Sequence, residues 1–351
     1  MSKAKRLALN ATLLSASSLL ISGIVTGPVA VAADSVSGVQ HPQIDLAFCI
    51  DTTGSMQSEI DAVKSKTKEI VAKLSGSKPS PDIRVGLVAF RDRGDEYVTK
   101  IFPFSSDIDK VVKDISSLKA DGGGDMPEAV NEGLHASVEG LQWRENKKAV
   151  KLLFLIGDAG PKHYPGDYSW DKEARNAISR GIQINTIACD GLHSQGDGLD
   201  VFQKVAKLSD GKCEFLTYRQ EIADAKGRKS TVLSAGGKLY EVKSADAAKW
   251  REGASALMAR GAAAPSPSAM SDGFASAEGS GVAMPMARMG KALESRSRGV
   301  FAGGPAAPSA SSYAMRTSAP SVSRAENNLA DLVLSATKEA AKKKANIVFD
   351  K

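Results

Sequence analysis

The sequence contains few of the residues that build covalent cross-links or zinc sites. Its 351 residues include three cysteines and four histidines. Three cysteines cannot all pair within one chain, and Cys49 and Cys189 lie in apolar, strand-like runs that favour small buried side chains. We therefore predict no structural disulfide. His41, His135 and His193 show none of the paired spacing that zinc ligands have, so a zinc-binding fold is not expected.

The sequence also lacks the motifs of common enzyme classes and of nucleic-acid-binding proteins. It contains no nucleophilic serine elbow, no glycine-rich phosphate loop and no pairing of cysteine with histidine. The formal net charge is +6, and Lys3, Lys5 and Arg6 contribute half of it, which leaves the rest of the chain near +3. No run of basic residues is interleaved with aromatic ones. Nucleic acid is therefore not an expected partner.

One short polar cluster follows an apolar run and precedes an amphipathic stretch. Residues 44–50 are largely apolar and lead directly into the turn DTTGS at 51–55. This pattern predicts a strand, a tight turn and the start of a helix. The carboxylate of Asp51 and the hydroxyls of Thr53 and Ser55 would present hard oxygen atoms to one point, which suits Mg²⁺. Alternatively, Thr53 or Ser55 only caps the next helix.

Two later stretches carry further acidic groups on predicted loops. A glycine-rich turn, GGGDMPEA at residues 122–129, places Asp125 just before a predicted helix, and a second apolar strand ends at Asp158. In an open parallel sheet the carboxyl ends of the strands lie on one edge, and that edge is where ligands bind. We therefore expect the three loops to converge.

Together, these segments resemble the von Willebrand factor type A domain and its metal-ion-dependent adhesion site. The resemblance covers residues 44–218, and the glycine-rich loop looks most like the hemicentin-like subgroup. It implies a divalent cation, Mg²⁺ or else Mn²⁺ or Ca²⁺, held by four side chains: Asp51, Thr53, Ser55 and Asp158. In this family the last aspartate binds directly or through water. A carboxylate from a partner protein then completes the octahedral coordination.

The glycine-rich loop departs from the family pattern. The family has a threonine ligand in this loop, whereas this sequence has none there, and Asp125 stands at or beside its place. An additional carboxylate makes the site more acidic, which should strengthen cation binding and weaken the attraction of the site for an acidic ligand. We therefore include Asp125 among the candidate metal ligands.

Three further residues are candidates for the ligand-binding edge around the metal site. Asp92 lies in a charged loop, RDRGD at 91–95, whose Arg-Gly-Asp tripeptide is too short to indicate integrin-type recognition. Glu128 closes the glycine-rich loop. His163 follows Asp158 in a loop with several aromatic residues. It either lines the binding surface or is an ordinary exposed histidine.

The alternation of apolar runs and amphipathic stretches predicts the fold class. The predicted strands are 44–50, 83–90, 97–104, 150–156, 183–188 and 214–218, and helices are predicted from 56 and at 108–118, 126–141, 170–179 and 199–208. Such alternation indicates a doubly wound α/β domain with a mostly parallel sheet and helices on both faces. Residues 97–104 would form one antiparallel edge strand. We assign residues 43–225 to this domain.

The rest of the chain divides into four segments. Residues 1–33 combine basic residues, an apolar stretch and a small-x-small pattern, which predicts a secretory signal peptide and a periplasmic or secreted protein without a lipid anchor. The alternative is an uncleaved membrane anchor. Residues 226–260 are predicted to form a hairpin and a short helix, and residues 261–322 a disordered linker rich in Ala, Ser, Pro and Gly. Residues 323–351 should form an amphipathic helix that docks on the domain or on a partner, with membrane contact not expected.

Three functions are compatible with these features. The first is a non-enzymatic binding module that uses a metal ion to recognise an acidic group on a partner protein. The second is a metal-free structural scaffold. The third is a Mg²⁺-dependent phosphoryl-transfer hydrolase, but hydrolases of the haloacid dehalogenase type need a second aspartate two residues after the nucleophile. Thr53 occupies that position here, so the general acid is missing and the binding module is favoured.

Overall fold

The computed structural model describes residues 41–124, 126–192, 196–223, 229–236, 238–242, 250–252, 326–345, 347 and 349. The predicted signal peptide, the predicted linker and Asp125 lie outside these residues. So does most of the short helix predicted after the hairpin, of which only the turn Trp250–Glu252 is described. The boundaries proposed for these segments therefore stay predictions.

Six strands form one sheet with β1 and β4 at its centre. They are β1 (Gln43–Asp51), β2 (Asp82–Phe90), β3 (Thr99–Ser105), β4 (Val150–Gly157), β5 (Ile182–Ala188) and β6 (Cys213–Phe215). Their order across the sheet is β3-β2-β1-β4-β5-β6. Neighbouring strands run parallel except β2 and β3, which are antiparallel. The predicted fold class, with one antiparallel edge strand, is confirmed.

Helices cover both faces of this sheet. They are α1 (Gln57–Ser75), α2 (Ile108–Ser116), α3 (Val130–His135), α4 (Trp170–Ser179), α5 (Gly198–Leu208) and α6 (Leu329–Ala345). Side chains alternate along β1: Leu46 and Phe48 pack in one apolar layer with α1, α2 and α6, whereas Ala47 and Cys49 pack in the other with α3, α4 and α5. The central strands are therefore buried on both sides. None of the helices described here is long and apolar enough to cross a membrane.

Helix α3 begins later than predicted. The sequence predicted a helix over 126–141, but α3 covers Val130–His135 and continues as one π-helical turn, Ala136–Gly140. The main chain of Glu128 is bonded to a neighbouring loop instead. Its N–H donates to the Gly160 carbonyl (3.0 Å), and its own carbonyl accepts from the Lys162 N–H (2.7 Å). Because these groups are engaged outside the helix, the first helical turn starts two residues beyond Glu128.

The strand predicted at 214–218 is divided between two sheets. Strand β6 ends at Phe215, and β7 (Thr217–Ala223) joins a second sheet with β8 (Lys229–Ala235), β9 (Lys238–Val242) and β10 (Glu326–Asn327), in the order β10-β7-β8-β9. The Asn328 side chain accepts a hydrogen bond from the Thr217 N–H (2.9 Å), and the Asn328 N–H donates to the Thr217 carbonyl (3.1 Å). These contacts hold Thr217 away from the first sheet, and they join residues 111 positions apart.

The C-terminal helix α6 forms part of the core of this domain. Leu329 and Val333 are fully buried in the same apolar layer as α1, as their spacing predicts, and Ala340 and Ala341 extend the buried stripe. Exposed ion pairs such as Lys343 with Asp210 (2.6 Å) flank the helix. Surface pairs contribute little to stability, so apolar burial holds α6 in place.

Candidate metal-binding site

The carboxylate of Asp51 ends β1 and has one oxygen without a partner. Asp51 is fully buried. Its Oδ1 accepts hydrogen bonds from the Thr53 N–H (2.9 Å) and the Thr53 hydroxyl (2.7 Å). Its Oδ2 is buried and makes no hydrogen bond to any residue that the structure describes. Burying such an oxygen unpaired is costly, which makes Asp51 Oδ2 a candidate for binding a cation.

Asp158 stands beside Asp51 on the neighbouring strand. Strands β1 and β4 are adjacent and parallel, with Ile50 opposite Ile156, so both carboxylates lie at the same edge of the sheet. Asp158 is 4% exposed. The nearby Ser55 side chain opposes the rise of the Asp158 pKa, and Asp158 Oδ1 has no hydrogen-bond partner among the described residues. The structure thus brings together the four residues that the sequence predicted from two separate loops: Asp51, Thr53, Ser55 and Asp158.

Negative charge accumulates at this edge. Burial and then the neighbouring Asp158 raise the pKa of Asp51 to about 8, and burial also raises the pKa of Asp158. Burial, followed by the charges of Asp51, Asp92 and Asp158, raises the pKa of Glu128 to about 9. None of these three carboxyl groups pairs with a basic side chain within the described part of the chain. A bound cation would supply the missing positive charge.

The glycine-rich loop packs directly on the turn after β1. The Gly54 N–H donates to the Gly122 carbonyl (3.2 Å), and the Asp121 N–H donates to the Thr52 carbonyl (3.1 Å). Gly123 has a φ of +69°, and a Cβ there would lie 2.7 Å from the Thr53 Cβ. Glycine is therefore required for this close approach. Asp125 lies outside the described residues, so its predicted role as a ligand stays a prediction.

The charged loop after β2 is held in place by internal bonds. Asp92 is buried, and its carboxylate accepts hydrogen bonds from Lys162 Nζ (2.6 Å) and the Tyr164 hydroxyl (2.5 Å). Although burial opposes the shift, these two bonds hold the pKa of Asp92 below its usual range. In the Arg-Gly-Asp tripeptide, Arg93 pairs with Glu132 (2.7 Å), and Asp95 accepts from the Gly123 N–H (3.1 Å). Both charged side chains of the tripeptide are therefore engaged by other residues of this domain.

The other two edge candidates differ in position. Glu128 is buried, with Oε2 unpaired, and its Oε1 lies 2.8 Å from where a Cβ on Gly123 would be. It therefore borders the Thr53 turn. His163 is exposed on the loop after Asp158, and nothing in its surroundings assigns it a role.

Sequence reasoning missed one buried carboxylate behind the site. Glu59, in the first turn of α1, is 7% exposed and accepts a hydrogen bond from the Tyr218 hydroxyl (3.2 Å). Burial raises its pKa to about 7, and the charges of Asp158 and Asp190 add to the shift. The only local signal was an acidic residue four positions after Ser55, next to the apolar face of the helix.

The chemistry of the donor set suits a hard cation. Among the described residues, no three His, Cys, Asp or Glu side chains form a cluster that could hold a metal ion by themselves. The candidate site instead combines two carboxylates with two hydroxyls, oxygen donors of the kind that Mg²⁺ takes in proteins. The two unpaired oxygens, Asp51 Oδ2 and Asp158 Oδ1, fit such an ion.

Comparison with known proteins identifies this region. A sequence profile of the von Willebrand factor A domain matches residues 45–217. The alpha-protein kinase vwkA of Dictyostelium discoideum is 26% identical over 178 residues, which cover 47% of this chain and 28% of that protein. The von Willebrand factor A domain-containing protein 7 of Mus musculus is 33% identical over 121 residues, covering 34% of this chain and 12% of that protein. This chain thus spans less than a third of either relative.

Among solved structures, one of proximal thread matrix protein 1 from the mussel byssus aligns at a TM-score of 0.39 and 18% identity. That structure has zinc in its metal-ion-dependent adhesion site (MIDAS) motif. The alignment covers 50% of this chain and 42% of that protein. The family profile runs from β1 to the end of the six-stranded sheet and includes both the Asp51 and Asp158 loops. Residues 45–217 therefore form a von Willebrand factor A domain.

Proposed function

We propose that this protein is a metal-dependent binding module that recognises an acidic group on a partner protein. The observation that supports this most directly is a pair of buried, unpaired carboxylate oxygens, Asp51 Oδ2 and Asp158 Oδ1, at the carboxyl ends of two adjacent strands. Such oxygens are costly to bury unless something binds them. Within the described part of the chain no basic side chain does so.

Four side chains would hold the ion: Asp51, Thr53, Ser55 and Asp158. Thr53 fixes the Asp51 carboxylate by two hydrogen bonds to Oδ1 and so leaves Oδ2 available. Ser55 lies near Asp158 and lowers the pKa of that carboxyl. Asp125 is a further candidate from the glycine-rich loop. The bound ion, for which we propose Mg²⁺, would act as a Lewis acid that attracts a carboxylate.

The proposed activity is binding without catalysis. Thr53 stands where a haloacid dehalogenase-type hydrolase needs its general acid, and it is committed to Asp51 (2.7 Å). We also propose that the protein is exported to the periplasm or secreted, on the basis of residues 1–33. The protein would bind its partner in the periplasm or outside the cell.

Titration calorimetry with Mg²⁺ and Mn²⁺ tests the metal site. The wild-type protein should show saturable binding, and Asp51→Ala should abolish it because a direct ligand is lost. Asp61→Ala is the matched control, since Asp61 is an exposed carboxylate on the adjacent helix α1 and its loss should leave the titration unchanged. Circular dichroism would verify that both variants fold. Absence of saturable binding in folded wild-type protein would leave only the scaffold function.

Affinity capture from a periplasmic extract, with and without EDTA, tests the acidic partner. The proposal expects a protein that is retained in Mg²⁺, released by EDTA and not retained by Asp51→Ala. A partner that is retained equally by Asp51→Ala would contradict metal-dependent recognition even if the metal binds.

A further inference from the structure

A basic cavity lies at the opposite edge of the six-stranded sheet from the Asp51 site. It has a volume of about 550 Å³ and opens where β4 and β5 begin. Five basic residues and one acidic residue, Glu145, line it, together with Trp143 and Ile178; the basic residues are Arg144, Lys147, Lys151, Arg180 and Lys344. Its wall therefore combines several positive charges with apolar surface. Nothing in the proposed metal-dependent function uses this cavity.

Two lysines from distant parts of the chain meet at the cavity. Lys151 is the second residue of β4, is 7% exposed, and donates from Nζ to the Arg180 carbonyl (3.1 Å). Lys344 lies at the end of α6 and donates from Nζ to the Gly181 carbonyl (3.0 Å). The two ammonium groups are thus bound to consecutive carbonyls. Burial lowers the pKa of both, and the charge of Lys151 lowers that of Lys344 further.

The surrounding structure only partly neutralises these charges. The two carbonyls belong to the two residues that follow helix α4, whose C-terminus is equivalent to about half a negative charge, whereas the two ammonium groups carry two positive charges. Neither lysine forms an ion pair within the described residues. Two carboxylates act on Lys151: the buried Asp45, which Arg84 and Arg144 already bind, and Glu145, the one acidic residue among the described residues that line the cavity. A surplus of positive charge therefore remains at the cavity.

Hydrogen-bond donors also remain. An ammonium group has three N–H donors, and each lysine uses one of them on a carbonyl. Two donors on each side chain are left for a ligand that accepts several charge-assisted hydrogen bonds at once. A phosphate group has this property, with two negative charges and several acceptor oxygens.

We infer that this cavity binds a small soluble molecule that carries a phosphate group, held by Lys151 and Lys344 with Arg180 beside them. The volume lies within the range of small-molecule sites. Trp143 and Ile178 provide an apolar wall for the rest of the ligand. Because Lys151 is recessed, a flat membrane surface would not reach it. Such a ligand would also link the end of α6 to the start of β4.

Calorimetric titration with pyrophosphate, in EDTA and at an ionic strength matched with sodium chloride, tests this site. Wild-type protein should bind saturably, and Lys344→Gln should weaken binding about tenfold or more, since charge-assisted hydrogen bonds are lost. Lys342→Gln is the matched control: it removes the same charge from an exposed position in the same helical turn and should change affinity by less than about twofold. Asp51→Ala should bind as wild type, which separates this site from the metal site.

Hydrogen exchange gives a second measurement on the same complex. Pyrophosphate should slow exchange in the last turn of α6 in wild-type protein but not in Lys344→Gln. Several results would overturn the inference: no saturable binding by wild type, equal weakening in Lys342→Gln and Lys344→Gln, or binding to phosphatidylglycerol vesicles without binding to pyrophosphate.

Discussion

The two ends of β1 each carry a fully buried aspartate, and their surroundings differ. Asp45, near the start, accepts hydrogen bonds from the Arg84 side chain (2.9 and 2.7 Å) and from the side chain and N–H of Arg144 (2.7 and 2.8 Å). Among the described residues, the carboxylate of Asp51, at the end, is bonded only to Thr53, through one oxygen, and its other oxygen is unpaired. Burial alone therefore does not indicate function, whereas a missing partner does.

The same contrast extends across the sheet. On β4, Lys151 lies at the start and Asp158 just after the end, seven residues or roughly 23 Å apart. Among the described residues, Asp51, Asp158 and Glu128 at the carboxyl edge have no basic partner, and Lys151 and Lys344 at the amino edge form no ion pair. Each edge is thus suited to a ligand of the opposite charge.

Replacement of the two aspartates on β1 should give the largest difference. Asp45→Ala is expected to lower the free energy of unfolding by about 3–5 kcal/mol, because the partly buried Arg84 loses its carboxylate and Arg144 keeps only the exposed Asp82. Asp51→Asn, measured in EDTA, should leave the stability unchanged or raise it, since it removes a carboxyl whose ionisation is opposed by burial and by Asp158. Urea unfolding of both variants measures this. Equal losses of stability in Asp45→Ala and Asp51→Asn would contradict the proposed difference between the two sites.

Glu59 should show a smaller, pH-dependent effect. Burial raises its pKa to about 7 in the folded protein, so the folded state binds this proton more tightly than the unfolded state. Its contribution to stability is present at low pH, falls as the pH rises from about 4.5 to about 7, and then stays constant. In EDTA, Glu59→Gln should therefore be more stable than wild type by roughly 3 kcal/mol at about pH 8 and by little at about pH 4.5.

Glu69 provides the control for this measurement. Its pKa is lowered, chiefly by a hydrogen bond from Lys73, so Glu69→Gln should be slightly less stable than wild type at about pH 8. Urea unfolding at both pH values compares the two variants. A Glu59→Gln protein that is less stable than wild type at high pH would show that the Tyr218 hydrogen bond outweighs the burial of charge.

Gly123→Ala should have the smallest effect on stability. It places a methyl group at a φ of +69° and 2.7 Å from the Thr53 Cβ, which should cost about 1–2 kcal/mol. The displaced Thr53 should also weaken Mg²⁺ binding. Gly124→Ala is the control, because a Cβ there meets nothing within 4 Å. Thermal unfolding with and without Mg²⁺ should separate the two variants, and equal behaviour would refute the need for close packing at Gly123.

The local pattern predicted the elements whose periodicity is strong. The apolar run before Asp51, the spacing of α1 and the Asp158 strand were sufficient to predict the sheet edge and to group the candidate ligands. The pattern failed where a distant residue decides the outcome. The start of α3 depends on the bonds of Glu128 to Gly160 and Lys162, and the division of the last predicted strand depends on Asn328.

The sequence by itself determined which residues carry oxygen donors and on which loops they lie, because hydrophobic periodicity and turn residues act over a few positions. The tertiary structure decided which of these groups have partners. Asp45 is neutralised by arginines 39 and 99 residues away, and Asp92 by a lysine 70 residues away, whereas Asp51 and Asp158 keep unpaired oxygens. Local pattern cannot encode such pairings, since they arise only when the strands assemble.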